Sequence, residues 1–224
     1  MPRALGAVAK ELLAYVGHAA LLPVSGGPDP DAAPGLADRT ILLVHGLLAK
    51  ASVLRPMREY LRRRGHQRFV SFTHDGTDVA RIAEKLAEAV SLRIPEGRID
   101  VVAHSLGGLA VRLWLQELGG ALRVDRCVFL GVPHAGTDRA RLLRLQSLAA
   151  LRPGSPLFER LRRSLDRASS VTTTSVLAEG DLMIRPIESA GAFGQSVHRI
   201  PDLGHNGLLF SPRVLRIVEE ALRR

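Results

Sequence analysis

Apolar and polar positions along this 224-residue chain follow two spacings in turn. Short, strand-like runs occur at 40–44, 67–73, 99–103, 126–131, 171–178 and 195–200. Their length and β-branched content predict strands. Between them, apolar residues return every three or four positions at 51–64, 77–92, 106–118, 139–151 and 212–222, which predicts amphipathic helices. In 51–64 the apolar set is Val53, Leu54, Met57, Tyr60 and Leu61, while Arg55, Arg58, Arg62 and Arg63 fall largely elsewhere. Gly65 ends that helix, and Pro56 belongs in its first turn. In 77–92, Val79, Ile82, Leu86, Ala89 and Val90 form the apolar face opposite Glu84, Lys85 and Glu88. Strands alternating with such helices predict an α/β fold of about six mostly parallel strands, with helices on both faces. No internal repeat interrupts the pattern.

Two segments stand outside this alternation. Residues 1–38 read as an N-terminal helix, 4–22, followed by a linker rich in Pro, Gly, Asp and Ala. Lys10, Glu11 and His18 interrupt the apolar run, leaving it short of the roughly 20 residues of a membrane span. Lys10 and Glu11 also fall where a signal peptide's apolar core should start. The expectation is a helix packed on the domain, with peripheral membrane contact as the alternative. Residues 39–224 then form the main domain. Within it, 132–170 is the longest insertion, containing 139–151, a break at Arg152-Pro153-Gly154, and an amphipathic stretch at 155–167. It reads equally as plain packing or as a cap over a pocket.

A hydrophobic content of 46% and a charged content of 24% are ordinary for a globular chain. The net charge of +9 comes almost wholly from arginine spread over helix faces, and aromatics make up only 4%. Without a basic tract or stacking platforms, nucleic acid is not an expected partner. The one cysteine, Cys127, lies in an apolar strand and reads as a core residue, so no internal disulfide framework exists. This fits a cytoplasmic, possibly membrane-associated location and is also compatible with secretion. No metal or cofactor is expected.

Candidate chemistry begins where the third strand meets the third helix. Ala103-His104-Ser105-Leu106-Gly107 puts a serine between small residues at a strand-to-helix turn, the arrangement of an exposed nucleophile. A serine hydroxyl needs a base, and the base an orienting acid. His205 follows the last strand in Asp202-Leu203-Gly204-His205-Asn206-Gly207 and is the candidate base. His198 falls inside a strand, and His134 comes too early in the chain. The acid lies in Glu179-Gly180-Asp181 after the fifth strand, with Asp181 preferred, Glu179 second and Asp138 a distant third. Oxyanion donors would be the Leu106 N–H and, after the first strand, the Leu47 N–H, turned inward at Gly46. His45 is expected to order that loop rather than to carry protons. His104 is expected to do the same, pointing differently from Ser105.

Together, His45-Gly46-Leu47, Ala103–Gly108, Val132-Pro133-His134-Ala135-Gly136-Thr137, Asp181 and Gly204-His205-Asn206 resemble the α/β-hydrolase superfamily. Within it, the chain is similar to bacterial lipases and to GPI inositol-deacylase-like esterases. Alanine at the opening of the turn is also found in small Bacillus-type lipases. The resemblance implies a minimal version of the fold lacking the family's first two strands. It implies a serine carboxylester hydrolase (lipase or esterase) that forms an acyl-serine intermediate. A single-glycine oxyanion loop resembles enzymes of medium- and long-chain acyl esters, so an acyl-ester or lipid substrate is implied. Leu48, His134 and Leu208 would then help to line the acyl pocket, and the 133–137 segment its floor. No acidic pair stands out for the calcium site of larger lipases. The alternatives are acyl transfer or thioester hydrolysis by the same residues, or a non-catalytic scaffold on this fold.

Overall fold

The computed structural model describes residues 39–141 and 146–223. The N-terminal helix and linker expected over 1–38 lie outside the described residues. Six strands form one parallel sheet: β1 (Thr40–Val44), β2 (Arg68–Phe72), β3 (Ile99–His104), β4 (Val124–Leu130), β5 (Thr172–Ala178) and β6 (Ser196–Ile200). Their order across the sheet is β2-β1-β3-β4-β5-β6. The chain thus runs from β1 out to the β2 edge, then returns across β1 to continue from β3. The resulting switch point opens a crevice at the carboxyl ends of β1 and β3, where α/β sheets bind ligands. Val44 is in register with Ala103, which brings the loop after β1 beside the turn after β3.

Alternation along the strands builds two cores. Leu42, Val44, Val101, Ala103, Cys127 and Phe129 face helices α2 (Val79–Arg93) and α3 (Ser105–Glu117). Ile41, Leu43, Val102, Val128 and Leu130 face helices α1 (Arg55–Arg63) and α5 (Pro212–Arg223). Helix α3 is buried from Leu106 to Gln116, which explains its apolar residues on every side. Asp78 caps α2, its carboxylate accepting from the Ala80 and Arg81 amides. Pro56 sits in the first turn of α1, so the helix expected from residue 51 opens as a 3₁₀ turn, Ala51–Leu54.

The insertion departs most from its sequence pattern. A continuous helix over 139–151 would be about 20 Å long. The Thr137 N–H instead donates to the Leu151 carbonyl at 2.8 Å, and residues 142–145 of the expected helix lie outside the described residues. Two 3₁₀ turns, Asp138–Arg141 and Gln146–Leu151, stand in the helix's place. Helix α4 (Pro156–Arg163) follows, and a further 3₁₀ turn covers Leu165–Ala168. Phe158 and Leu161 join the core on the α3 side, and Glu117 holds Arg160 at 2.7 Å and Ser164 at 3.1 Å. Helix α4 is therefore fastened to α3 as part of the packed layer. Among the described residues, no helix is long and apolar enough to cross a membrane.

Candidate active site

Ser105 is the first residue of α3, with φ of +52°. A left-handed backbone is costly for serine and is retained where the surrounding structure enforces it. Here the neighbours do so by close approach. A Cβ on Gly107 would lie 2.1 Å from the His45 carbonyl oxygen, and one on Gly46 would lie 2.8 Å from Ser105 Cβ. Glycine at both positions lets the β1 loop and the start of α3 press together.

The Ser105 hydroxyl lies 3.0 Å from His205 Nε2. On the other side of that ring, Nδ1 meets Asp181 Oδ2 at 2.7 Å. Since the carboxylate accepts, Nδ1 carries the proton and Nε2 is left to receive one from serine. Asp181 is itself held, because Oδ1 accepts from the Met183 and Ile184 amides at 2.7 and 2.9 Å. Both side chains are almost fully buried. Glu179 is exposed, and the structure joins Asp181, not Glu179 or Asp138, to the histidine.

Two backbone bonds tie together the loops that carry these residues. The Glu179 amide donates to Ile200 and the Gly180 amide to Leu203, each at 3.0 Å. Next to Ser105 in the chain, the Leu106 amide belongs to the first turn of α3, whose N–H groups lack intrahelical acceptors. The Leu47 N–H has no partner among the described residues.

The three residues expected to line a pocket are scattered. Leu48, with φ of +55°, is 87% exposed. Leu208 is fully buried, close enough to Gly131 that a Cβ there would stand 2.9 Å from Leu208 Cδ1 and 3.1 Å from His205 Nδ1. His134 is buried edge-on to Phe129 at 4.7 Å and beside Phe193 at 5.3 Å, and neither ring nitrogen has a hydrogen-bond partner. Burial, and secondarily the Arg112 charge, holds His134 neutral well below the usual imidazole range. Arg112 donates to the His134 carbonyl at 2.7 Å and lies over the Phe193 ring. Burial lowers its pKa to about 10. His134 thus belongs to a packed aromatic cluster rather than to an open wall.

His104 lies beside the candidate base. Its ring packs 4.8 Å from that of His205, and burial keeps it uncharged. His74, which nothing in the sequence pattern singles out, stacks on His45 at 4.5 Å. Its only signal was position: it follows β2, as His45 follows β1. Among the described residues, no group of three or more His, Cys, Asp or Glu side chains is arranged to hold a metal ion.

Residues 22–176 match the model of a family described as a domain of unknown function, DUF7379. The chain belongs to the DUF7379 family. Solved structures place this DUF7379 member in the α/β-hydrolase fold. It is similar to Aspergillus fumigatus lipase B, at 18% identity and a TM-score of 0.70, over 91% of this chain and 55% of that one. It is similar to the mature form of Bacillus licheniformis lipase BlEst2, at 17% identity and a TM-score of 0.61, over 86% of this chain and 96% of that one. It is also similar to the RedJ thioesterase of the prodiginine biosynthetic pathway in Streptomyces coelicolor. There the identity is 19% and the TM-score 0.56, over 89% of this chain and 90% of that one. The six-stranded parallel sheet of this DUF7379 member, with its flanking helices, thus has the α/β-hydrolase fold.

Proposed function

We propose that this protein is a serine carboxylester hydrolase of medium- to long-chain acyl esters. The observation that carries the reading is the unbroken hydrogen-bonded series Ser105–His205–Asp181, at 3.0 and 2.7 Å, at the switch point of the sheet. In the reaction, His205 Nε2 takes the Ser105 proton as Oγ attacks the acyl carbonyl. The Leu47 and Leu106 amides receive the developing oxyanion. His205 then protonates the departing alcohol, leaving an acyl-serine. Water, deprotonated by His205, attacks that ester and releases the acid. Asp181 holds the His205 tautomer and stabilises the imidazolium. The likeness to lipases favours a lipid-like acyl chain, and exposed Leu48 beside Leu47 offers it an apolar rim.

The test is turnover of p-nitrophenyl esters of increasing chain length, with covalent labelling by a fluorophosphonate probe. Wild-type protein should do both, and Ser105→Ala neither. Equal labelling of that variant, or wild-type protein inert to both, overturns the reading. The likeness to a thioesterase supports a second reading, the same residues acting on acyl thioesters. Faster turnover of acyl-thiol substrates than of the matching oxygen esters would favour it.

A further inference from the structure

Resting on that reading, we infer that His45 and His74 act as a pair that aims the Leu47 N–H at the oxyanion, with His74 a positioning residue for the reaction. His45 Nδ1 lies 2.8 Å from the Gly46 carbonyl oxygen. A carbonyl can only accept, so Nδ1 bears the proton. The opposite nitrogen, Nε2, accepts the backbone N–H of His74 at 3.2 Å. Both nitrogens are therefore committed, and the ring is neutral with one defined tautomer. A proton added at Nε2 would face the His74 N–H head-on. Burial acts the same way, lowering the His45 pKa.

His74 returns the contact. Its ring lies nearly parallel to that of His45, with an interplanar angle of 13°, and its Nε2–H donates to the His45 carbonyl at 3.0 Å. Phe72 stands behind it at 6.2 Å. The imidazole of His45 is thus held by a stack, by one bond that it accepts and by one that it donates.

The consequence follows from peptide geometry. Gly46 C=O and Leu47 N–H belong to one trans peptide plane and point in opposite directions. Fixing that oxygen against His45 Nδ1 fixes the line along which the Leu47 N–H points. A peptide free to rotate at this glycine would lose that aim, since glycine itself sets no preference. Gly46 cannot be replaced to stiffen the loop, because a Cβ would also come within 2.9 Å of His104 Nδ1. The histidine pair supplies the rigidity that the required glycine withholds. It also links catalysis to the loop after β2, which touches none of the reacting atoms.

Two measurements test this on the full chain. Imidazole ¹⁵N NMR reads the tautomer whether or not ester turnover is found. His45 should show a protonated Nδ1 and an unprotonated Nε2. The reverse tautomer, or an averaged signal, overturns the inference even if the enzyme is active. Kinetics then reads the consequence. His45→Phe keeps an aromatic ring and loses the bond to Gly46, so kcat should fall about 10²-fold with KM within twofold, as for loss of one oxyanion donor. His74→Phe keeps the stack and loses the bond to His45, and should lower kcat roughly three- to tenfold, with His74→Gln restoring part of it through its amide N–H. Both variants should still unfold cooperatively. Wild-type kcat in folded His45→Phe and His74→Phe, or a loss confined to KM, overturns the inference while leaving Ser105 chemistry intact. Failure of wild-type protein to turn over ester or take the probe counts against the hydrolase reading instead.

Discussion

Gly180 lies so close to Leu203 that a Cβ there would stand 2.9 Å from the Leu203 carbonyl oxygen. Across this contact the Gly180 amide donates to the same oxygen at 3.0 Å. The loop of Asp181 and the loop of His205 are thereby locked side by side, and the 2.7 Å contact between those residues depends on it. Gly180→Ala must push the loops apart by several tenths of an ångström. The expected outcome is a loss of about tenfold in kcat, because misplacement on this scale weakens positioned catalysis steeply. Steady-state kinetics beside a melting curve checks it. Unchanged kcat would mean that the loops are located by other contacts.

Asp181 and Glu179 differ by one turn residue but not in what they touch. Asp181 is buried on His205 and anchored by two backbone amides, whereas Glu179 faces solvent. Asp181→Asn should lower kcat by about 10³–10⁴-fold through the wrong histidine tautomer. Glu179→Gln should leave ester turnover within twofold. The reverse ranking would reassign the acid.

The sheet and the order of the candidate residues were legible because they are local. All six strands overlap the short runs predicted for them, and the serine, carboxylate and histidine each stand at or just beyond a strand's carboxyl end. What escaped was set through space. The helical spacing in 139–151 was real, but Thr137 bonds Leu151 and the described residues on either side, Asp138–Arg141 and Gln146–Leu151, are 3₁₀ turns. His74 gained its role from a partner 29 residues earlier in the chain, on the neighbouring strand's loop. The resemblance of the 133–137 segment made His134 a pocket residue, but Phe129, Phe193 and Arg112 enclose it. Spacing along the chain cannot reveal which loops meet at the sheet's edge or how deeply a side chain is covered.

At the opposite end of β3 from Ser105, the carboxylate of Asp100 is fully buried. Arg39 grips it with two bonds, at 2.8 and 2.9 Å, and Arg126 approaches at 3.5 Å. Arg39 also bonds Asp125, which in turn holds Arg98, so the network pins together the entries to β1, β3 and β4. Asp100→Asn keeps the shape and removes the charge, leaving the half-buried Arg39 a poorer partner there beside its remaining bond to Asp125. Stability should fall by about 1–3 kcal/mol, the usual cost of weakening hydrogen bonds to a charged group. Urea unfolding at neutral pH measures it, and kcat of the folded fraction should stay near that of the wild type. A loss below 1 kcal/mol would show the network to be dispensable.

Stability should also depend on pH through histidines that are buried uncharged. His66 is fully buried, both ring nitrogens lack partners, and its pKa is lowered from 6.5 to about 4. Burial is the main cause; the charges of Arg223, Arg126 and Arg39 add to it, while Asp100 opposes. His45, His104 and His134 shift in the same direction. Between pH 6.5 and 4 the unfolded chain therefore binds more protons than the folded one. The folded state keeps its full stability above about pH 6.5 and loses it as pH falls toward 4. His66 alone accounts for about 3 kcal/mol of that loss. Carboxylates held low by arginine, such as Glu117 and Asp125, act in a more acidic window, so they do not produce this slope. His66→Phe removes one titrating group and fills much the same space. Its unfolding midpoint should fall less than that of the wild type between pH 7.5 and 5, and equal slopes for the two proteins would refute the assignment.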